Sequence, residues 1–270
     1  GHGITYSRSP LIHNYWIAKY GVDSRYGICD LPAENLPDRM SSIREGKSAG
    51  CNVTTPYKQT VIQYLDAVDD AASVIGSVNT IYRRDGLLRG TSTDGAGYIG
   101  HLKNTHPDLQ LENAKVLVLG AGGAARSITD ALVQCGCSVI YIVNRTLERA
   151  REIARLRPDV IEPVAWDELQ AIAGHVDLLV NTTSLGMVGR PPLVFPLEKT
   201  RQNCVVSDIV YAPLETELLA RARSLGRPVL DGLGMLLHQA VPGFQLWFGI
   251  EPQVTDELRA LVEQDLLSHG

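Results

Sequence analysis

Cysteine is scarce and unpatterned in this chain: Cys29, Cys51, Cys135, Cys137 and Cys204 make an odd number with no CxxC pair. That argues against a disulfide framework or a zinc site and fits a reducing cytosol. Aromatic residues are only 6% of 270, too few for a surface that stacks on single strands. Lysine and arginine form no blocks and are outnumbered 25 to 30 by acidic residues, for a formal charge of −5. Neither nucleic acid nor an anionic membrane is therefore an expected partner. No apolar run approaches the ~18 residues that would span a bilayer. The seven histidines are scattered without HxxH or HExxH spacing, so no metal is expected. There is no signal-peptide pattern, and the opening Gly-His reads as a trimmed end or an appended remnant.

What is present is a globular composition, 44% hydrophobic and 20% charged, at a length that suits two domains. The middle of the chain alternates β-branched runs with helical stretches. KVLVL at 115–119 is a continuous apolar strand of the kind buried on both faces of a parallel sheet. Strands over 139–143, 176–180, 205–210 and 228–230 continue the series, with a helix over about 125–134. This alternation implies βαβ units and a doubly wound sheet. The first 95 residues read differently: helices at 11–20, 36–45 and 59–66, strands near 26–30 and 49–54, and a hairpin over 80–89 turning at Asp85-Gly86. Two further helices, about 233–248 and 256–267, close the chain. The expected organisation is α/β in two domains. An N-terminal α/β substrate domain spans 1–94 and takes back the helices of 233–270, and a Rossmann-like nucleotide domain spans 95–232.

The strand at 115–119 runs straight into Gly120-Ala121-Gly122-Gly123-Ala124-Ala125, a GxGxxA, and then into a helix. Gly120 permits the tight turn, Gly122 lets the backbone approach a pyrophosphate, and Ala125 is small enough to pack helix on strand. The helix start offers N–H groups and the positive dipole end to phosphates. A plain tight turn would also use glycines, but here the strand before, the helix after and a second strand are all in place. At the end of that second strand, where an NAD site carries Asp or Glu, stands Asn144-Arg145-Thr146, with Arg149 a turn further on. A carboxylate would repel a 2′-phosphate, whereas Arg145 can grip one and Thr146 can donate to it, so NADP is the expected cofactor. The bland alternative is a solvated arginine beside a threonine N-cap.

Several further segments carry polar residues in short motifs: Ser7-Arg-Ser9-Pro10, Asn52-Val-Thr54-Thr-Pro56-Tyr-Lys58, Gly76-Ser-Val-Asn79-Thr80, Thr93-Asp94-Gly95, Asn181-Thr182-Thr183-Ser184, Asp208-Ile-Val-Tyr211 and Gly232-Leu-Gly234 through Gln239. Read singly, Lys58 is a surface lysine, Asp94 an N-cap, Ser7 and Ser9 a serine turn, Asn79 a turn residue and Gln239 a helix-face residue. Taken in order, and covering nearly the whole chain, they resemble the shikimate dehydrogenase family. The resemblance implies NADP-dependent hydride transfer between 3-dehydroshikimate and shikimate, with Lys58 as the principal proton shuttle beside Asp94. It implies a small ring acid as partner, its carboxylate held by Ser7 and Ser9, which alternate along an extended segment and so share a side, with Tyr211 reaching toward it. Thr54, Asn79 and Gln239 match contacts to ring hydroxyls. Gly120, Ala121, Gly122, Gly123, Ala124, Asn144, Arg145, Thr146, Arg149, Thr182, Ser184 and Gly232 match the cofactor side, with Gly234 expected to leave room near the nicotinamide. His13 is expected to be structural, and Cys135 and Cys137 to be packing.

Two departures stand out. Ser92 replaces the asparagine usual before the Thr-Asp-Gly, which bears on subtype more than on activity. The strand expected just before Ser7 is not represented in full, and its loss would cost the first sheet part of its core. A quinate/shikimate or aminoshikimate dehydrogenase is the near alternative, and a metabolite sensor without turnover is the alternative of another class. The protein is expected to be a cytosolic monomer or homodimer.

Overall fold

The structure, a computed structural model, describes residues 1–269. The chain divides into two compact units, Gly1–Gly97 with Leu236–Val262, and Tyr98–Met235 with the segment from Glu263.

The first unit is built on α1 (Ser9–Lys19), α2 (Leu36–Arg44), β1 (Gly50–Asn52), β2 (Ala67–Val68), α3 (Asp70–Ile75), β3 (Thr80–Arg84) and β4 (Leu87–Thr91). Its sheet has the order β1-β3-β4-β2, antiparallel across β1-β3 and β3-β4, parallel across β4-β2. The hairpin turns where the sequence places it. Asp85 and Gly86 both have positive φ (56° and 75°), the conformation a tight two-residue turn requires. Leu36, Met40 and Ile43 of α2 join Val78, Ile81 and Leu88 in the core under this sheet. The expected strand at 26–30 is absent, although the segment is not helical either. It is tied by side chains rather than by a ladder, the Tyr26 N–H donating to Asn14 Oδ1 at 2.9 Å and the Tyr26 hydroxyl to Asn52 Oδ1 at 2.8 Å. The helix expected at 59–66 is a short 3₁₀ segment, Thr60–Tyr64.

Next come α4 (Asp94–Thr105), β5 (Lys115–Leu119), α5 (Gly123–Gln134), β6 (Val139–Val143), α6 (Leu147–Ala154), β7 (Ile161–Val164), α7 (Leu169–Ile172), β8 (Leu178–Asn181), β9 (Val205–Asp208), α8 (Glu217–Ser224), β10 (Val229–Leu230), α9 (Gly232–Phe248) and α10 (Asp256–His269). The six strands form one parallel sheet in the order β10-β9-β8-β5-β6-β7. The period of two sends Val116, Val118, Ile140 and Ile142 to a core with Ile128 and Leu132 of α5, and Leu117, Leu119 and Leu179 to the opposite core with Leu218 and Leu219 of α8. Both faces are covered, which is why these strands read as unbroken apolar runs. β7 (Ile161-Glu-Pro-Val) is not among the expected strands: it is an edge strand, with two exposed residues and a proline that only an edge tolerates. Strand order reverses between β5 and β8, the switch point where such sheets bind ligands beyond their carboxyl ends.

Candidate active site

In the first unit, Lys58, Asn79, Asp94 and Gln239 converge. One Asp94 oxygen pairs with the Lys58 ammonium, and the other accepts from Asn79 Nδ2 at 2.8 Å. Asn79 is buried and uses every polar position it has. Its amide also donates to Thr93 Oγ1 (3.0 Å), while its carbonyl oxygen accepts from Thr93 N (2.8 Å) and Thr80 Oγ1 (3.0 Å). Gln239 Oε1 stands 3.5 Å from the same Asn79 amide, and Thr93 Oγ1 donates to the Gln239 carbonyl at 2.8 Å. The carboxylate therefore sits in a fully satisfied polar network, which fixes its direction better than any single contact could. Side-chain exposure is 10% for Asp94 and 21% for Lys58, so the lysine is partly exposed while its partner is nearly enclosed. Gly97 lets α4 approach α9 this closely: a Cβ there would stand 2.5 Å from the backbone of Gln239. Thr93 and Thr80 lie within the sequence motifs, but nothing in the sequence assigns them a part in the site. Only the fold shows that their hydroxyls face Asn79.

Thr54 is exposed and has no polar contact to this network among the described residues. Ser7 and Ser9 are not on an extended segment. Ser9 opens α1, and its N–H donates to Ser7 Oγ at 3.3 Å, the serine turn that the residues suggest when read alone. Tyr211 belongs to the second unit, on the loop after β9.

In the second unit the carboxyl ends of four adjacent strands line one cavity of ≈470 Å³: Gly120 after β5, Asn144 to Thr146 after β6, Trp166 after β7, and Thr183 to Leu185 after β8, with Arg149 from α6. Gly120 has φ 109°, and a Cβ there would come within 2.6 Å of Thr182 Oγ1, which itself donates to Leu119 O. At Gly122 a Cβ would meet no protein atom within 4 Å, so the backbone is bare at the start of α5, as a phosphate-binding turn needs. Ala121, Gly123 and Ala124 complete that turn without lining the cavity. Arg145 and Arg149 are exposed and make no ion pair among the described residues, whereas Arg151 and Arg155 nearby are held by Glu148. The Thr146 hydroxyl makes no cap bond to α6 and is left for another partner. No carboxylate is among the described residues that line the cavity, and the Asn144 amide donates to Thr146 O at 2.9 Å. These residues fit a 2′-phosphorylated dinucleotide.

Two glycines of α9 stand where the helix and its neighbours pack closely. A side chain at Gly232 would strike the carbonyls of Ile209 and Val210, and one at Gly234 would strike the His101 ring, so both serve close packing. The loop carrying Ser184 is fastened from below. Asn181 Nδ2 donates to Leu185 O (3.2 Å) and Asp208 Oδ1 (3.0 Å), while Asp208 also accepts from Val210 N (3.0 Å) and Thr216 Oγ1 (2.8 Å). Burial pushes the Asp208 carboxyl up to about 6 despite these donors. No group of three or more His, Cys, Asp or Glu side chains arranged for a metal occurs among the described residues.

Family models match in three pieces: the shikimate dehydrogenase substrate binding domain at 1–81, shikimate/quinate 5-dehydrogenase at 102–206, and the shikimate 5′-dehydrogenase C-terminal domain at 232–264. The shikimate dehydrogenase (NADP(+)) of Nitrobacter winogradskyi is 47% identical over 267 residues, 99% of this chain and 95% of that one. Among solved structures, shikimate 5-dehydrogenase of Thermus thermophilus in complex with NADP(H) and shikimate is 32% identical at a TM-score of 0.85, covering 99% of this chain and 97% of its own. Quinate dehydrogenase of Corynebacterium glutamicum in complex with NAD is 30% identical at a TM-score of 0.90, covering 98% and 96%. With three family models matched along the chain and 47% identity to a relative over 99% of it, the chain belongs to the shikimate dehydrogenase family.

Proposed function

We propose that this chain interconverts 3-dehydroshikimate and shikimate with NADP. The observation that carries the reading is the Lys58–Asp94 pair locked by Asn79: a cation that can give or take a proton, aimed by a buried carboxylate. The nicotinamide cofactor would supply the redox chemistry when bound, as hydride donor (NADPH) to the carbonyl carbon in reduction and as hydride acceptor (NADP+) in oxidation. Lys58 protonates the developing alkoxide during reduction and accepts the hydroxyl proton during oxidation. Asp94 holds the ammonium in place and compensates its charge. Gln239 and Asn79 offer neutral donors and acceptors, the kind of groups that discriminate ring hydroxyls. Ser7, Ser9, Thr54 and Tyr211 are the proposed remaining substrate contacts. Gly120 to Ala124 receive the pyrophosphate, with Thr182, Ser184 and Gly232 shaping the same cofactor side. Arg145, Thr146 and Arg149 take the 2′-phosphate, and Asn144 keeps that end free of negative charge. The reaction belongs in the cytosol, where five free thiols persist.

The alternative with an observation behind it is a quinate-directed enzyme, since a structural neighbour is a quinate dehydrogenase bound to NAD. A pure sensor is disfavoured by the retained proton-transfer pair. Initial rates at 340 nm with shikimate or quinate, each with NADP or NAD, decide among the three. The expected outcome is that shikimate with NADP dominates kcat/KM, and that Arg145→Ala erodes NADP use far more than NAD use. Dominance of quinate with NAD would move the chain to the quinate branch, and silence in all four pairs would overturn the assignment.

A further inference from the structure

We propose that Trp166 is the face on which the adenine ring of the cofactor stacks, so that an adenine nucleotide with a 2′-phosphate is recognised by a tryptophan and two arginines together. This rests on the NADP reading above and extends it to a residue that no sequence motif marks. Trp166 opens the 3₁₀ turn that follows β7. In the sheet, β7 neighbours β6, and β6 neighbours β5. A dinucleotide laid across the carboxyl edge with its pyrophosphate at the Gly120 turn meets Arg145 and Thr146 one strand over, and Trp166 one strand beyond that. Adjacent strands are separated by about 4.8 Å. The 2′-phosphate sits on C2′ of the ribose and adenine on the adjoining C1′, so a phosphate at Arg145 leaves the base within one sugar ring of that spot. Trp166 is the only aromatic among the residues that line this cavity.

The exposure of the ring points the same way. The chain has three tryptophans. Trp16 is fully buried, and Trp247 is half-buried with its indole N–H donating to Ile81 O, but Trp166 is 40% exposed. The backbone that carries it is closed into a turn, Glu168 reaching back to accept from the Ala165 N–H at 3.1 Å. A flat apolar ring bordering a cavity with two guanidinium groups free of ion pairs among the described residues suits a purine, which stacks through its face irrespective of its edge pattern.

The ring also borders a second cavity, ≈450 Å³, beside Val194, Phe195 and Pro196, so it could instead be there only to pack. Calorimetric titration of the full chain with adenosine 2′,5′-bisphosphate and, separately, with nicotinamide mononucleotide separates the two roles. Trp166→Ala is expected to weaken the bisphosphate by about ten- to a hundredfold, and Trp166→Phe by less than about fivefold, with the mononucleotide unchanged in both. Saturating bisphosphate is expected to quench indole emission in the wild type, and Trp166→Phe to abolish that quenching. Bisphosphate binding by Trp166→Ala within twofold of wild type, or quenching that persists in Trp166→Phe, overturns the proposal. The Phe variant keeps the test decisive if the Ala variant fails to fold. Failure of the wild type to bind the bisphosphate at all would instead overturn the NADP reading on which it rests.

Discussion

Lys58 and Asp94 form an ion pair that stability alone does not explain. Taking a carboxylate out of water costs several kcal/mol, and a partly exposed lysine returns only a fraction of that. The pair is oriented instead: Asn79 spends one N–H on Asp94, and Thr93 and Thr80 hold Asn79 in turn. Such an arrangement aims a proton donor at whatever lies beyond the ammonium. Lys58→Ala should therefore lower kcat by roughly 10²- to 10⁴-fold. Because Lys58 lies in the first unit and the proposed cofactor residues in the second, the dissociation constant for NADP should move by less than about threefold. Steady-state rates at saturating substrate, paired with direct cofactor titration, check both halves. Turnover within fivefold of wild type would remove Lys58 from the chemistry. This pair was legible in sequence only through the family motif, because a lysine after a proline and an aspartate opening a helix are both ordinary. Its supports were not legible, since which threonine hydroxyl faces Asn79 depends on the β3–β4 register.

Between elements, Asp208 does what no single strand can. From the end of β9 it joins the loop after β8, its own following turn and the N-cap threonine of α8, and so sets the wall that carries Ser184. Burial raises its folded pKa to about 6, above the ordinary carboxylate value near 4. The sign follows: between about pH 4 and 6 the folded protein holds a proton that the unfolded chain has released. This group's contribution to stability is thus fully present below pH 4 and is lost as pH rises through 6. Asp208→Asn keeps an oxygen for Asn181 and Val210 and lets the Thr216 hydroxyl reverse its donor role. It should raise stability at pH 8 by about 1–3 kcal/mol and match wild type near pH 4, whereas Asp208→Ala should destabilise at both. Denaturant melts at the two pH values measure this, and an Asn variant less stable than wild type at pH 8 would show the ionised form to be the favoured one. The β-branched runs made most of this sheet readable, since strands buried on both faces need no partner to declare themselves. β7 was invisible because an edge strand of four residues with Pro163 has neither apolar run nor alternation. With it went Trp166, whose place beside Arg145 is a fact of strand order. The converse error, a strand at 26–30, has the same root: β-propensity is local and pairing is not.

Across the whole chain, the two units carry buried titratable groups of opposite sign, Asp208 in the second and His13 in the first. His13 is completely buried on α1, stacked 4.3 Å from Tyr26 and flanked by Trp16, Phe244 and Trp247. Burial among these rings pushes its imidazole down to about 3, far below the ordinary value near 6.5. A depressed folded pKa means that the unfolded chain takes up the proton first. His13 therefore supports the fold above about pH 6.5 and withdraws that support progressively as pH falls toward 3, by about 1.4 kcal/mol per unit. At pH 5 the first unit has lost about 2 kcal/mol from this source, while the second has gained about 1 kcal/mol from Asp208 over the same interval. Mild acid should accordingly melt the first unit earlier, lowering its Tm by several degrees between pH 7.5 and 5 and separating its calorimetric transition from that of the second. His13→Phe retains an aromatic ring in the stack and cannot take up the proton, so it should flatten the acid slope of the first transition and leave the second alone. Calorimetric scans of both proteins across that range make the comparison; an unchanged slope in His13→Phe would place the acid sensitivity of this unit elsewhere.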